Sequence, residues 1–166
     1  MSSLTTHGVN INVKVSYHTV SNFEGRPGYV FIYHIVISNN NSFPIQLKSR
    51  KWIIFDSEGT TRFVEGEGVV GLQPIIQPDQ SFEYSSFCNL NTQLGSMSGS
   101  YFLENLDDKS SFEVTIPVFE LATPGIMNWI SITFLKFYKT FKLSTSLKAH
   151  PAFPRPNVIK LSNWNQ

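Results

Sequence analysis

Cysteine is almost absent. Cys88 stands alone among 166 residues, which excludes an internal disulfide and any zinc site built from several cysteines, and suits a reducing compartment. The opening segment, "MSSLTTHG", has neither a basic start nor an apolar run, so no secretory leader is read there. Long apolar runs are missing as well. The longest, Ile126 to Tyr138, is interrupted by Asn128 and Lys136 and falls short of the roughly 20 residues that cross a bilayer. The expectation is a cytoplasmic protein with no membrane span.

Acidic residues are lacking from positions 127 to 166, where Lys136, Lys139, Lys142, Lys148, Arg155 and Lys160 lie. Residues 1 to 126 hold all 12 acidic residues against 7 basic ones. A basic tail on an acidic body fits an anionic partner such as RNA. The plainer account, a tail that docks on its own body or stays unfolded, is favoured because the charges are spread out rather than clustered.

Catalytic groups in reach of one another are also missing. His7, His18, His34 and His150 share no spacing with a nucleophile and an orienting partner. His34 lies in the most apolar stretch and reads as a hydrogen-bonded core or edge histidine. Cys88 has no basic neighbour in sequence to lower its pKa and reads as a small packed residue. Asp107-Asp108 supplies fewer oxygen ligands than calcium or magnesium needs and reads as a solvated turn. The sequence therefore offers no catalytic residue, no metal site and no cofactor.

What is present is a chain 41% apolar and 14% aromatic, enough for one domain with a core that needs no staple. Ile11, Val13, Val15 and Tyr17 alternate with polar residues, the period of a half-buried strand. Tyr29 to Ser38, "YVFIYHIVIS", is apolar on both faces and belongs in the middle of a sheet. Trp52 to Asp56, a "SEG" turn and Thr61 to Glu65 form a hairpin, and strands follow at Ser81 to Phe87, Gly99 to Leu103 and Phe112 to Phe119. About seven to eight strands and no helix before residue 126 predict an all-β, antiparallel sandwich of the fibronectin type III or immunoglobulin kind. Residues 1–126 form that domain, and residues 127–166 a basic extension whose apolar spacing suits a helix or a strand until "AHPAFPRPN" excludes both.

One motif asks for a nucleotide. "VEGEGVVGLQP" contains Gly66-x-Gly68-x-x-Gly71, the spacing of a dinucleotide-binding fingerprint. That fingerprint needs a buried strand before it and a helix after it, whose amides hold the pyrophosphate. Pro74 and Pro78 forbid the helix and no strand-helix-strand pattern surrounds the motif, so a dinucleotide domain is rejected. Two readings stay open. The glycines permit positive φ or a bulge where the chain leaves one sheet for the other, or they expose successive amides as a nest for phosphate. Arg50 and Arg62 are the cations placed to help, with Lys51 near. Glu65 and Glu67 oppose an anion.

"QLKSRKWIIFDSEG", "VEGEGVVGLQPIIQP", "SFEYSS", "GSMSGSY" and "FEVTIPVFEL" occur in this order and together resemble the ApaG domain over roughly residues 8 to 126. The resemblance implies a fibronectin type III-like sandwich. It also implies a loop at Gly66, Gly68 and Gly71 that has been considered a phosphate or pyrophosphate site. Bacterial members are encoded beside a diadenosine tetraphosphate hydrolase and an rRNA dimethyltransferase and are associated with cobalt and magnesium tolerance or efflux. Eukaryotic fusions use the domain as a protein-interaction module. The chain departs from the pattern at Lys51, in its extension beyond Ile126, and at Pro78-Asp79-Gln80, read as a type I turn where the family has Pro-Gly. The reading is a non-catalytic binding module with an unidentified protein partner, able to take a phosphate-containing small molecule at its glycine loop. Its alternative is an enzyme or enzyme accessory acting on phosphorylated nucleotides such as diadenosine polyphosphates.

Overall fold

The structure, a computed structural model, describes residues 1–126 apart from Glu24. The readings made for residues 127–166 lie outside the described residues. Nine strands run in chain order: β1 (Ser2–Thr6), β2 (Val9–Phe23), β3 (Arg26–Asn39), β4 (Ile45–Asp56), β5 (Thr61–Glu67), β6 (Ile75–Ile76), β7 (Ser81–Leu90), β8 (Leu94–Asn105) and β9 (Ser111–Ala122). They pack as two antiparallel sheets. One has the order β1-β2-β3-β7; the other has β5-β4-β8-β9, with β6 also paired to β4. The architecture is the expected antiparallel sandwich.

Alternation explains the layering. Phe31, Tyr33, Ile35 and Ile37 of β3, every second residue, are buried, as are Val9, Ile11 and Val13 of β2. They meet Trp52 and Ile54 of β4, Tyr101 and Leu103 of β8, and Val114, Ile116, Phe119 and Leu121 of β9. β3 is central, between β2 and β7, but only one of its faces is buried; Ile32 and Val36 on the other are half-exposed. Trp52 lies amid an aromatic group, its ring 5.5 Å from Tyr33, 6.0 Å from Phe119 and 6.3 Å from Tyr101.

The structure corrects three readings. Nine strands form among the described residues against the about seven to eight expected, because β1 is a serine- and threonine-rich edge strand and β6 is two residues long, so neither carries a legible alternation. The strands also run longer than their apolar centres: β4 starts at Ile45 and β8 at Leu94. At Pro78-Asp79 the Gln80 N–H donates to the Gln77 carbonyl and Asp79 has φ 59°. Positive φ at the third turn position belongs to type II, not type I, which is the physical reason glycine is favoured there.

The break after β3 is built by one side chain. Asn39 is fully buried, donates its amide to the Phe43 and Ile76 carbonyls at 2.9 and 3.1 Å, and accepts from the Asn41 N–H at 3.1 Å. Those bonds tie the loop after β3 to β6, which in turn pairs with the start of β4.

Candidate binding cleft and glycine loop

The loop after β5 does not change sheets. β5 and β6 both pair with β4, β5 along Ser49–Phe55 and β6 at Ile45–Gln46, so the glycine segment stays on one edge of one sheet, and the reading of a crossover between sheets is corrected. Within it, Val69 and Leu72 exchange both backbone hydrogen bonds at 2.8 and 2.9 Å. Val70 and Gly71 between them have φ 44° and 78°. Two central residues at positive φ make a type I′ turn, the tight reversal that matches strand twist.

Each glycine of the motif has its own cause. Gly71 fills the second position of the turn. Gly68, at φ 55°, leaves no room: a Cβ would stand 2.0 Å from the Leu72 carbonyl oxygen. Gly66 lies under the Arg50 guanidinium, whose Nη1 would be 3.1 Å from a Cβ there. Val70 is the anomaly, since a β-branched residue at positive φ is strained. Val70→Asn is expected to raise stability by about 1 kcal/mol, read as a higher urea midpoint; an unchanged or lower midpoint would refute the strain.

Arg50 and Arg62 meet in one cleft. Arg50 Nη1 donates to the Glu67 and Gly68 carbonyls at 3.0 and 2.7 Å. Arg62 Nη2 donates to the Asn89 carbonyl of β7 and stands 4.0 Å from Cys88 Sγ. Both line a cleft of about 280 Å³ between the β5 and β7 edges, together with Trp52, Val64, Val70, Tyr84 and Phe87. Gly68 is tied in by its N–H to the Lys48 carbonyl at 2.9 Å. Arg50 thus engages the loop by its carbonyls; the amides left at the turn's tip are those of Val70 and Gly71.

The carboxylates beside the motif point elsewhere. Glu65 and Glu67 alternate with Arg62, Val64 and Gly66, and Glu65 pairs with its cross-strand neighbour Lys51 at 3.0 Å on the outer face. The repulsion that they threaten in sequence is therefore directed away from the cleft. Among the described residues no three His, Cys, Asp or Glu side chains converge as metal ligands would. His34 is hydrogen-bonded, Nδ1 to Ser85 Oγ at 3.0 Å, with Nε2 3.4 Å from Glu83. That row lies on the outer face of β3 and β7.

The floor of the cleft is polar but sealed. Tyr84 and Tyr101 share a hydrogen bond of 2.5 Å between their hydroxyls. Burial pushes the hydroxyls of Tyr33, Tyr84 and Tyr101 above the usual phenol range, and pushes the Cys88 thiol up to about 11, with nearby Arg62 opposing. Raised pKa values mean that folding favours the protonated forms. The contribution of Cys88 is complete below its ordinary 9.0, that of the tyrosines below their ordinary 10.0, and all are lost as pH rises. Cys88 alone gives a fall of about 2 kcal/mol between pH 9 and 11, and the tyrosines steepen it above 10. Urea midpoints from pH 8 to 11 check this, and a flat profile would contradict it.

Sequence reading missed the aromatic and apolar members of the site. Phe63 and Val64 stand next to each other on one strand and so point to opposite faces; a strand with both apolar has to expose one. They are 64% and 40% exposed. Phe87, at the rim of the cleft, is 67% exposed.

Comparison with known proteins bears on the fold and the family. A family model described as the ApaG domain matches residues 21–105. Protein ApaG of Anaeromyxobacter dehalogenans is 41% identical over 128 residues, 77% of this chain and all of the relative. Protein ApaG of Pseudomonas aeruginosa is 41% identical over 124 residues, 75% of this chain and 98% of the relative. The crystal structure of the putative ApaA protein from Bordetella pertussis superposes with a TM-score of 0.65 at 40% identity, covering 70% of this chain and 94% of that one.

Proposed function

The chain belongs to the ApaG domain family, and on that premise we propose that it is a non-catalytic binding module whose working surface is the β5 edge, the glycine loop and the cleft between β5 and β7. The partner is another protein, and the cleft can receive a phosphate or pyrophosphate group. One observation carries this reading: Arg50 and Arg62, two residues of the anion site read from sequence, line the same cleft, and Arg50 holds the loop of Gly66, Gly68 and Gly71 against it. Guanidinium groups suit phosphate because their fixed fork matches two oxygens at once. To bind, each arginine exchanges a backbone carbonyl for a charged acceptor.

Titration calorimetry with pyrophosphate tests the anion site. Arg50→Gln and Arg62→Gln are each expected to weaken binding about tenfold or more, the size of a lost charge-assisted hydrogen bond, with thermal unfolding confirming an intact fold. No heat from the unaltered chain at millimolar pyrophosphate would refute the site. Full retention of affinity in both variants would place binding elsewhere.

A further inference from the structure

We propose that the free edge of β5 takes up an extended segment of the partner as an added strand, and that this segment alternates apolar with acidic side chains. The inference rests on the proposed binding surface and adds the chemistry of its occupant.

Backbone parity comes first. At the two ends of the β4–β5 ladder, the Gly68 N–H donates to the Lys48 carbonyl and the Asp56 N–H to the Thr60 carbonyl, both at 2.9 Å. The register between them is continuous, from Ser49 opposite Glu67 to Phe55 opposite Thr61. Antiparallel ladders alternate bonded and non-bonded pairs, so the even-numbered residues of β5 bond to β4. The odd-numbered ones, Thr61, Phe63, Glu65 and Glu67, turn N–H and C=O outward. Arg50 caps the Glu67 carbonyl, which leaves Thr61, Phe63 and Glu65 with edge groups unpaired among the described residues. Such an edge is a template for another strand.

The two faces of the edge differ in chemistry. On the outer face Phe63 stands opposite Ile53, with Phe55 beyond it, and all three are exposed. Side chains of an added strand on that face would lie against this apolar strip. On the inner face they would stand beside Arg62 and Val64, over the mouth of the cleft. Arg50 and Arg62 line that cleft, and no carboxylate does so among the described residues. Inward positions of the added strand therefore favour Asp or Glu. A second copy of this chain is a poor occupant: in β5-to-β5 pairing the inward faces coincide, which brings Arg50 and Arg62 of both copies together.

Fluorescence anisotropy on the full chain tests this with labelled nine-residue peptides alternating valine with glutamate or valine with lysine. The glutamate peptide is expected to bind at least about tenfold more tightly than the lysine peptide. N-methylation of one alternating set of its amides abolishes binding, and methylation of the other set does not. Phe63→Pro removes an outward N–H without breaking a bond to β4, so it abolishes peptide binding while pyrophosphate binding persists. Equal binding of the two peptides overturns the charge assignment. Pyrophosphate binding with no peptide binding overturns strand addition and leaves the cleft reading standing; peptide binding without pyrophosphate supports strand addition and overturns the anion site. A dimer in sedimentation that Phe63→Pro dissolves assigns the edge to a second copy and overturns the proposal.

Discussion

Replacing Trp52 with alanine is expected to lower the free energy of unfolding by about 3–5 kcal/mol, a large part of the 5–15 kcal/mol that holds a typical domain. Trp52 is 3% exposed and packs its ring edge-on to Phe119 and Tyr101 and at a tilt to Tyr33, so it joins side chains of both sheets. Relaxation cannot fill the gap. Across from it Gly99 has no side chain to move in, and a Cβ there would stand 2.0 Å from the Lys51 carbonyl oxygen. Trp52 also forms part of the cleft wall. Urea unfolding measures the effect. A change below about 1 kcal/mol would mean that the aromatic group does not hold the sheets together.

Gly68→Ala is expected to be costly for a different reason, by about 3 kcal/mol or more. Its φ of 55° disfavours any side chain, and the new Cβ would collide with the Leu72 backbone, so the type I′ hairpin has to open. Opening it releases the Val69–Leu72 bonds and the carbonyls held by Arg50. Gly71 provides the control. It has φ 78°, but a Cβ added there would meet nothing within 4 Å, and Gly71→Ala is expected to cost only about 1 kcal/mol. Equal losses at the two positions would show that steric closure is not what fixes Gly68.

Much of the sandwich could be read in advance because burial writes itself as alternation: Ile11, Val13, Val15 and Tyr17 form one face of β2, and Tyr33, Ile35 and Ile37 one face of β3. β1 was not legible, since an exposed edge strand needs no apolar residues, and β6 is too short to have a period. The glycine motif was legible as a loop with positive φ but not as a hairpin. Val70, the residue that makes it one, is a strand former that no turn rule would choose. Arg50 and Arg62 could be named as cations near the loop. That they share a cleft depends on β7 arriving from the other sheet, a long-range fact that no local pattern carries. The unpaired edge of β5 depends likewise on which strand fails to find a neighbour.

The proposed function places partner binding at the cleft and edge of β5. Amide chemical-shift mapping of the full chain, titrated with pyrophosphate and then with the valine–glutamate peptide, tests it most directly. The sandwich has its own control, a larger cleft of about 450 Å³ beside β1 and β9, lined by Val13, Val15, Tyr17, Val118 and Phe119, with Glu120 as a carboxylate among the described residues. That placement predicts shifts at Val70 and Gly71 and in the Arg50 and Arg62 side chains with pyrophosphate, spreading to Thr61, Phe63 and Glu65 with the peptide, while Val13, Val15 and Val118 stay still. Shifts centred on Val13, Val15 and Val118, or none with either ligand at millimolar concentration, would contradict it.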